Sequence, residues 1–417
     1  GNDVTTGDLN TLIGGLSGDA LTTGNRNVAV GYVALSSDTL GDRAVAVGYG
    51  ALNLQNFTTT TDNYNVAVGH TAGGAVTTGI QNVIMGGLAG DALTDSDYNT
   101  ALGHQALTSD TLGSRSTAIG RQTLVNQNFT TATDAYNVAV GFNAGQQVTT
   151  ATQNTIVGSL ALDAATTGAA NTAIGYQALS ADTKGQNNTA VGHNALATQN
   201  FTTATNSYNT ALGSQAGLVI STGVQNTIVG SLAADDLTTG SGNVILGYNL
   251  SMGNVATDQT ICIGYGIASA GSNNVKIGVA AGNATLQLNG SDTSWAAASD
   301  ERLKKDVADS TVGLSFINAL RPVTFKWNAK DAIADTLPQY DADSSDPVYG
   351  EGKAHHGFIA QEVKAVIDAN SDVVDGHGLW IEDPDGTQQV APSALVPMLV
   401  KAIQELSAEI ETLKSGG

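Results

Sequence analysis

Triplets dominated by small and apolar residues, each closed by a glycine, recur sixteen times between residues 10 and 278. Val28-Ala29-Val30-Gly31, Val138-Ala139-Val140-Gly141 and Thr172-Ala173-Ile174-Gly175 are representative. The glycines step by 17 residues, with a 21 at every fourth interval and a last step of 14, so three 17s and a 21 make a super-repeat of 72. A fixed short period predicts a solenoid, in which each unit buries its apolar face only against its neighbours. Each triplet predicts one short strand per coil. No polar alternation interrupts these strands, so both faces need cover. The inside of the coil covers one face, and three copies packed around an axis would cover the other. Sixteen coils at a strand spacing of ~4.8 Å predict a rod of roughly 75 Å.

The polar positions of the repeat carry their own signal. Asn stands four before the glycine in thirteen of the sixteen units, with Ala44, Ser116 and Thr260 as the exceptions. Asn tolerates left-handed backbone and bonds its own turn, and stacking would place the amides in a ladder. Glycine at the strand end permits backbone angles and close approaches closed to other residues. Residues 1–298 contain no Pro, which suits a ladder where every N–H needs a partner.

The pattern breaks near residue 299. All prolines and all glutamates lie beyond it, with ten Lys or Arg, whereas residues 1–298 hold six Lys or Arg against seventeen Asp. The chain divides into a repeat shaft over 1–282, a connector over 283–298 and a non-repetitive α+β module over 299–417. That module ends in Leu399, Ile403, Leu406, Ile410 and Leu413, spaced 4, 3, 4, 3 as a coiled-coil seam. An amphipathic helix packed on its own domain is the alternative. The net charge of −21 without a basic cluster argues against nucleic acid and anionic membranes as partners. No apolar run is long enough to cross a bilayer, and no signal peptide is visible. The single Cys262 sits in an apolar strand and excludes a disulfide framework.

Two resemblances extend this reading. The Asn-x-Ala-x-Gly phrase resembles the head repeats of trimeric autotransporter adhesins, which implies a left-handed parallel β-roll built as a trimer. Such repeats also occur in phage tail fibres. In the C-terminal module, Ser299-Asp300-Glu301-Arg302-Leu303-Lys304-Lys305, Leu320-Arg321-Pro322-Val323, Phe325-Lys326-Trp327 and His356-Gly357-Phe358-Ile359-Ala360-Gln361-Glu362 follow one another. Their order and wording are similar to the C-terminal intramolecular chaperone of endosialidase-type phage tail spikes and fibres. The resemblance implies a module that trimerises, drives folding of the β-rich part before it and cuts itself off between Ala298 and Ser299. It makes Ser299 the nucleophile and Lys304 the general base.

That chemistry is coherent at these residues. A serine hydroxyl needs a neighbouring base to take its proton. A lysine serves as that base once burial disfavours its charged form, and trimer assembly would supply the burial. The tethered substrate gives a high effective molarity without a substrate pocket. Lys305 is the rival base. Asp300, His356 and Glu362 are candidate supports of the site, with His355 beside them. The same phrase also reads as a plain helix start with Ser299 or Asp300 as N-cap.

Other candidates sit in the shaft. Each 21-residue step carries an insertion, Asn56-Phe57-Thr58, Asn128-Phe129-Thr130 or Asn200-Phe201-Thr202, followed by Tyr64, Tyr136 or Tyr208. These six aromatics are candidate glycan contacts. The alternative has Phe capping an apolar seam between subunits with Tyr over it. His70, His104 and His193 share the position after a repeat glycine, where Tyr32, Arg121, Phe142 and Ser159 also occur. Such variety reads as an outward face and not as a metal site. No metal and no cofactor are expected.

The sequence therefore leads to a phage tail-fibre or spike segment, made in the host cytoplasm and incorporated in the virion tail. Its expected partners are two further copies, upstream tail proteins and a host-surface receptor such as a glycan; nucleic acid and membrane insertion are not expected. A bacterial trimeric surface adhesin and a membrane-tethered transcription factor using the same cleavage module are the alternatives. The absence of an anchor after the coiled coil, and of a basic region and a transmembrane span, speaks against them.

Overall fold

A computed structural model describes residues 1–288, 296–297, 301, 304–335, 337, 339–349, 352–373, 378–383 and 386–416. The chain divides into two compact units, Gly1–Ala298 and Ser299–Gly417.

The first unit is a parallel β-solenoid. One short strand per coil, from Thr11–Ile13 through Val28–Val30 and Val45–Val47 to Asn274–Val279, joins a single sheet. Register is kept throughout: Val28 lies beside Val45, Val45 beside Val66 and Thr117 beside Val138. The central side chain of each triplet points into the coil. Ala29, Ala67, Ile84, Ala139, Ile156 and Cys262 are fully buried. Burial raises the Cys262 thiol above its ordinary pKa. Between Asn274–Val279 and Gly282–Gln287 the chain reverses, and Gly282–Gln287 pairs antiparallel with the last parallel strand. This covers the open edge that a parallel stack would otherwise present.

The asparagines form the expected ladder. Asn27 Oδ1 accepts the Ala44 N–H at 2.8 Å and its Nδ2 donates to Gly41 O at 2.8 Å. Asn154 takes the Asn171 N–H at 2.9 Å, and Asn171 takes the Asn188 N–H at 3.0 Å. The left-handed residue, however, is not this Asn but the one before it. Arg26, Arg43, Tyr64 and Tyr98 have φ of 57°, 67°, 51° and 60°. That twist turns the Asn amide inward, where it is spent on the next coil. The repeat glycine is needed as anticipated. Gly31 has φ +135°, and a Cβ there would lie 2.4 Å from Gly48 O.

The insertions of the 21-residue coils are anchored by a buried carboxylate. Asp38 Oδ1 accepts the N–H groups of Gly41 and Phe57 at 3.1 and 3.2 Å, and its Oδ2 accepts Gln55 Nε2 at 2.7 Å. Gln55 Oε1 in turn accepts Asn65 Nδ2 at 2.8 Å. The set recurs as Asp110–Gln127–Asn137 and Asp182–Gln199–Asn209. Where Ala44 interrupts the amide ladder, Asn63 Oδ1 accepts the Asn65 N–H at 2.9 Å instead.

The second unit is α+β. Helix α1 (Leu314–Ala319), helix α2 (Ala360–Asp368) and helix α3 (Leu395–Ser415) accompany two antiparallel strand pairs, Val323–Phe325 with His355–Gly357 and Trp380–Glu382 with Gln388–Val390. Val312, Phe316, Val363, Ile367, Leu379 and Met398 form its core. Among the described residues no helix is long and apolar enough to cross a membrane.

Candidate functional site

Ala298, Ser299 and Asp300 lie outside the described residues. Lys304 is exposed, and its backbone N–H donates to Glu301 O at 3.0 Å. Lys305 is also exposed and faces Asp306 at 3.7 Å. The isolated chain thus does not supply the burial that a lysine base requires.

His355 and His356 occupy the strand His355–Gly357, which pairs with Val323–Phe325 so that Thr324 sits beside His356 and Phe325 beside His355. His356 is exposed and lines a groove of about 1090 Å³ with Phe325, Trp327, Tyr349, Phe358 and Val390. His355 turns toward an aromatic cluster. Its ring lies 5.7 Å from that of Phe325, and Trp327 meets Phe325 and Tyr349 edge-on at 5.2 and 4.9 Å. His355 Nε2 is buried and meets no hydrogen-bond partner among the described residues. The period-two spacing of Phe325 and Trp327 was the signal for this cluster, and the sequence reading did not use it.

Glu362 stands in the first turn of α2 and holds Arg321, whose Nε donates to Glu362 Oε2 at 2.9 Å. The Arg321 guanidinium keeps the Glu362 carboxyl below the usual carboxylate range. The pair ties the Leu320-Arg321-Pro322 turn to α2.

α3 uses two faces. Leu395, Met398 and Ala402 are buried in its own unit, and Glu405 Oε2 accepts the Leu314 N–H at the start of α1 at 2.7 Å. The heptad positions Leu399, Ile403, Leu406, Ile410 and Leu413 form the other face and are 42–78 % exposed.

In the solenoid the six candidate aromatics divide. Phe57, Phe129 and Phe201 are only 5–7 % exposed in the single chain. Tyr64, Tyr136 and Tyr208 are about half exposed at the edge of the sheet. Arg43 lies 5.3 Å from the Tyr64 ring and Arg115 5.9 Å from the Tyr136 ring. His70 and His193 stack on Tyr49 and Tyr176 at 5.1 and 5.7 Å.

Residues 299–372 match the family described as chaperone of endosialidase. No curated protein and no solved structure matches the chain. The C-terminal unit thus carries a chaperone-of-endosialidase domain behind a β-solenoid, an arrangement that fits a fibre or adhesin-like protein with an intramolecular chaperone.

Proposed function

We propose that the chain is one subunit of a homotrimeric phage tail fibre or spike that attaches to a host-surface receptor, folded by a C-terminal chaperone that cuts itself off. The observation that carries this reading is positional. The chaperone-of-endosialidase match begins at residue 299, where the second compact unit also begins. A scission between Ala298 and Ser299 would release the solenoid whole.

Two open apolar faces support the trimer. The outward residues of the strands stay uncovered in the single chain: Val83, Leu102, Val138, Val157, Ile174 and Leu212 are 36–48 % exposed. The α3 seam is open in the same way. Apolar tracts of this extent on a soluble protein mark interaction surfaces.

In the cleavage step, Ser299 Oγ attacks the Ala298 carbonyl carbon while Lys304 Nζ takes the hydroxyl proton. The proton passes to the Ser299 nitrogen as the C–N bond breaks, and water hydrolyses the ester that remains. Lys304 is exposed in the single chain, so the burial that activates it comes from assembly. Cleavage would then follow successful trimerisation. The test is a denaturing gel of wild type beside Ser299→Ala, Lys304→Ala and Lys305→Ala. The first two variants are expected to stay full length and the third to cut. Cutting by Lys304→Ala would overturn the base assignment, and cutting by Ser299→Ala would overturn the nucleophile.

A further inference from the structure

The open face of the sheet has two unlike edges. Strands cross this face, so every coil places one residue at each edge: the residue five before the repeat glycine at one side, the residue just after it at the other. Each column stacks on itself along the solenoid. Tyr32, Tyr49 and His70 stack at 5.8 and 5.1 Å on the second edge. On the first edge, Arg115 lies 4.8 Å from the Tyr98 ring.

We infer that in the trimer these unlike columns meet each other, so that the first edge of one copy abuts the second edge of the next at each of three corners. The inference rests on the trimeric reading above. Three parallel copies related by rotation form a triangle in cross-section. Rotation by a third of a turn carries each face onto the next without reversing it, so a first edge always arrives at a second edge. A face about 70 Å long and about 20 Å wide offers on the order of 1,400 Å² per copy. That exceeds the roughly 800 Å² per partner of a standard stable interface.

The residues suit this pairing. Level by level, Arg26 meets Tyr32 and Arg43 meets Tyr49, each a cation over an aromatic ring. At three levels a large residue faces a small one, Gln81 with Gly87, Ala170 with Tyr176 and Gly242 with Tyr248, and at three others two rings meet, Tyr64 with His70, Tyr98 with His104 and Tyr136 with Phe142. Arg115 and Arg121 form the one like-charged level. Both are already engaged in their own chain, Arg115 with Asp134 at 2.8 Å and Arg121 over the Phe142 ring at 5.5 Å. Pairing like with like would instead bring Arg26, Arg43 and Arg115 each against its own copy.

The test is cysteine crosslinking of the full chain with a short bismaleimide. Gln81→Cys and Gly87→Cys are combined in one chain. A Cβ at Gly87 has no neighbour closer than 3.7 Å, and the native Cys262 is buried. The two positions flank the strand Val83–Met85 at opposite edges of the face, roughly 20 Å apart, so a short link between them must join two chains. The double variant is expected to give a covalent trimer on a denaturing gel, and each single variant a monomer. Gln153→Cys with Ser159→Cys repeats the test further along. Dimers from the single variants would overturn the pairing. So would a double variant that stays uncrosslinked while light scattering still reports three chains. A single chain by light scattering would instead sink the trimeric reading itself.

Discussion

Gln55 Nε2 donates to Asp38 Oδ2 across 2.7 Å inside the solenoid, with both side chains fully buried. Because Gln55 Oε1 is already taken by Asn65 Nδ2, the amide has only its donor to offer, and its partner must be an acceptor. Asp38→Asn would place a donor against a donor, and rotating the Gln55 amide only moves the clash to Asn65. The substitution is expected to lower stability by about 1–3 kcal/mol, the usual cost of an unsatisfied buried polar group. Hydrogen exchange of the Phe57 amide, which Asp38 also holds, is expected to accelerate in the variant. Unchanged protection would refute the anchoring role.

The same carboxylate makes stability depend on pH. Burial raises Asp38 and Asp182 above the ordinary value, against the hydrogen bonds that lower them. The folded state therefore holds these protons more tightly than the unfolded state. That contribution is fully present below the unfolded pKa, about 3.9, and is lost as pH rises through the raised folded value. The unfolding midpoint of wild type is expected to fall across this window more than that of Asp38→Asn with Asp182→Asn. Parallel curves would show that these groups do not titrate on unfolding.

The repeat glycine is a strict requirement. Gly141 has φ +140°, and a Cβ there would stand 2.6 Å from Gly158 O. Gly141→Ala is expected to cost on the order of 1–3 kcal/mol from backbone strain alone, with the stack also forced apart at that coil. Thermal unfolding of the released solenoid measures it.

The two faces of α3 separate folding from assembly. Ile403→Asp alters only the exposed seam and is expected to leave helical circular dichroism intact while the yield of soluble trimer by light scattering falls and aggregated chain accumulates. Met398→Asp buries a charge in the unit's own core and is expected to unfold it. A trimeric Ile403→Asp protein would show that the seam does not hold the assembly.

The solenoid was legible because one short phrase is repeated in register: Val28, Val45 and Val66 stand side by side as their spacing implied. Position in the coil was harder to read. The left-handed residue proved to be Arg26 and its equivalents, since Asn27 needs its amide turned inward for the ladder. Phe57 looked like a surface aromatic because it sits in a polar insertion, yet the Asp38 anchor folds that insertion onto the coil. Asp38, Gln55 and Asn65 recur every 72 residues, but their contact spans separate coils and no local pattern announces it. At the candidate site, the Ser299 phrase was legible as a motif, whereas the His355 cluster arises from strand pairing between Phe325 and residues thirty positions on.

Residues 299–417 are expected to fold the solenoid and then become dispensable, and two routes to residues 1–298 test this. Sixteen coils of few charges expose sticky edges until they are registered. Made alone, a chain ending at Ala298 is expected to aggregate. Released by cleavage from the full chain, the same residues are expected to run as a soluble trimer by light scattering. A truncated chain that reaches the same trimer in equal yield would rule out the chaperone role and leave residues 299–417 as a cap.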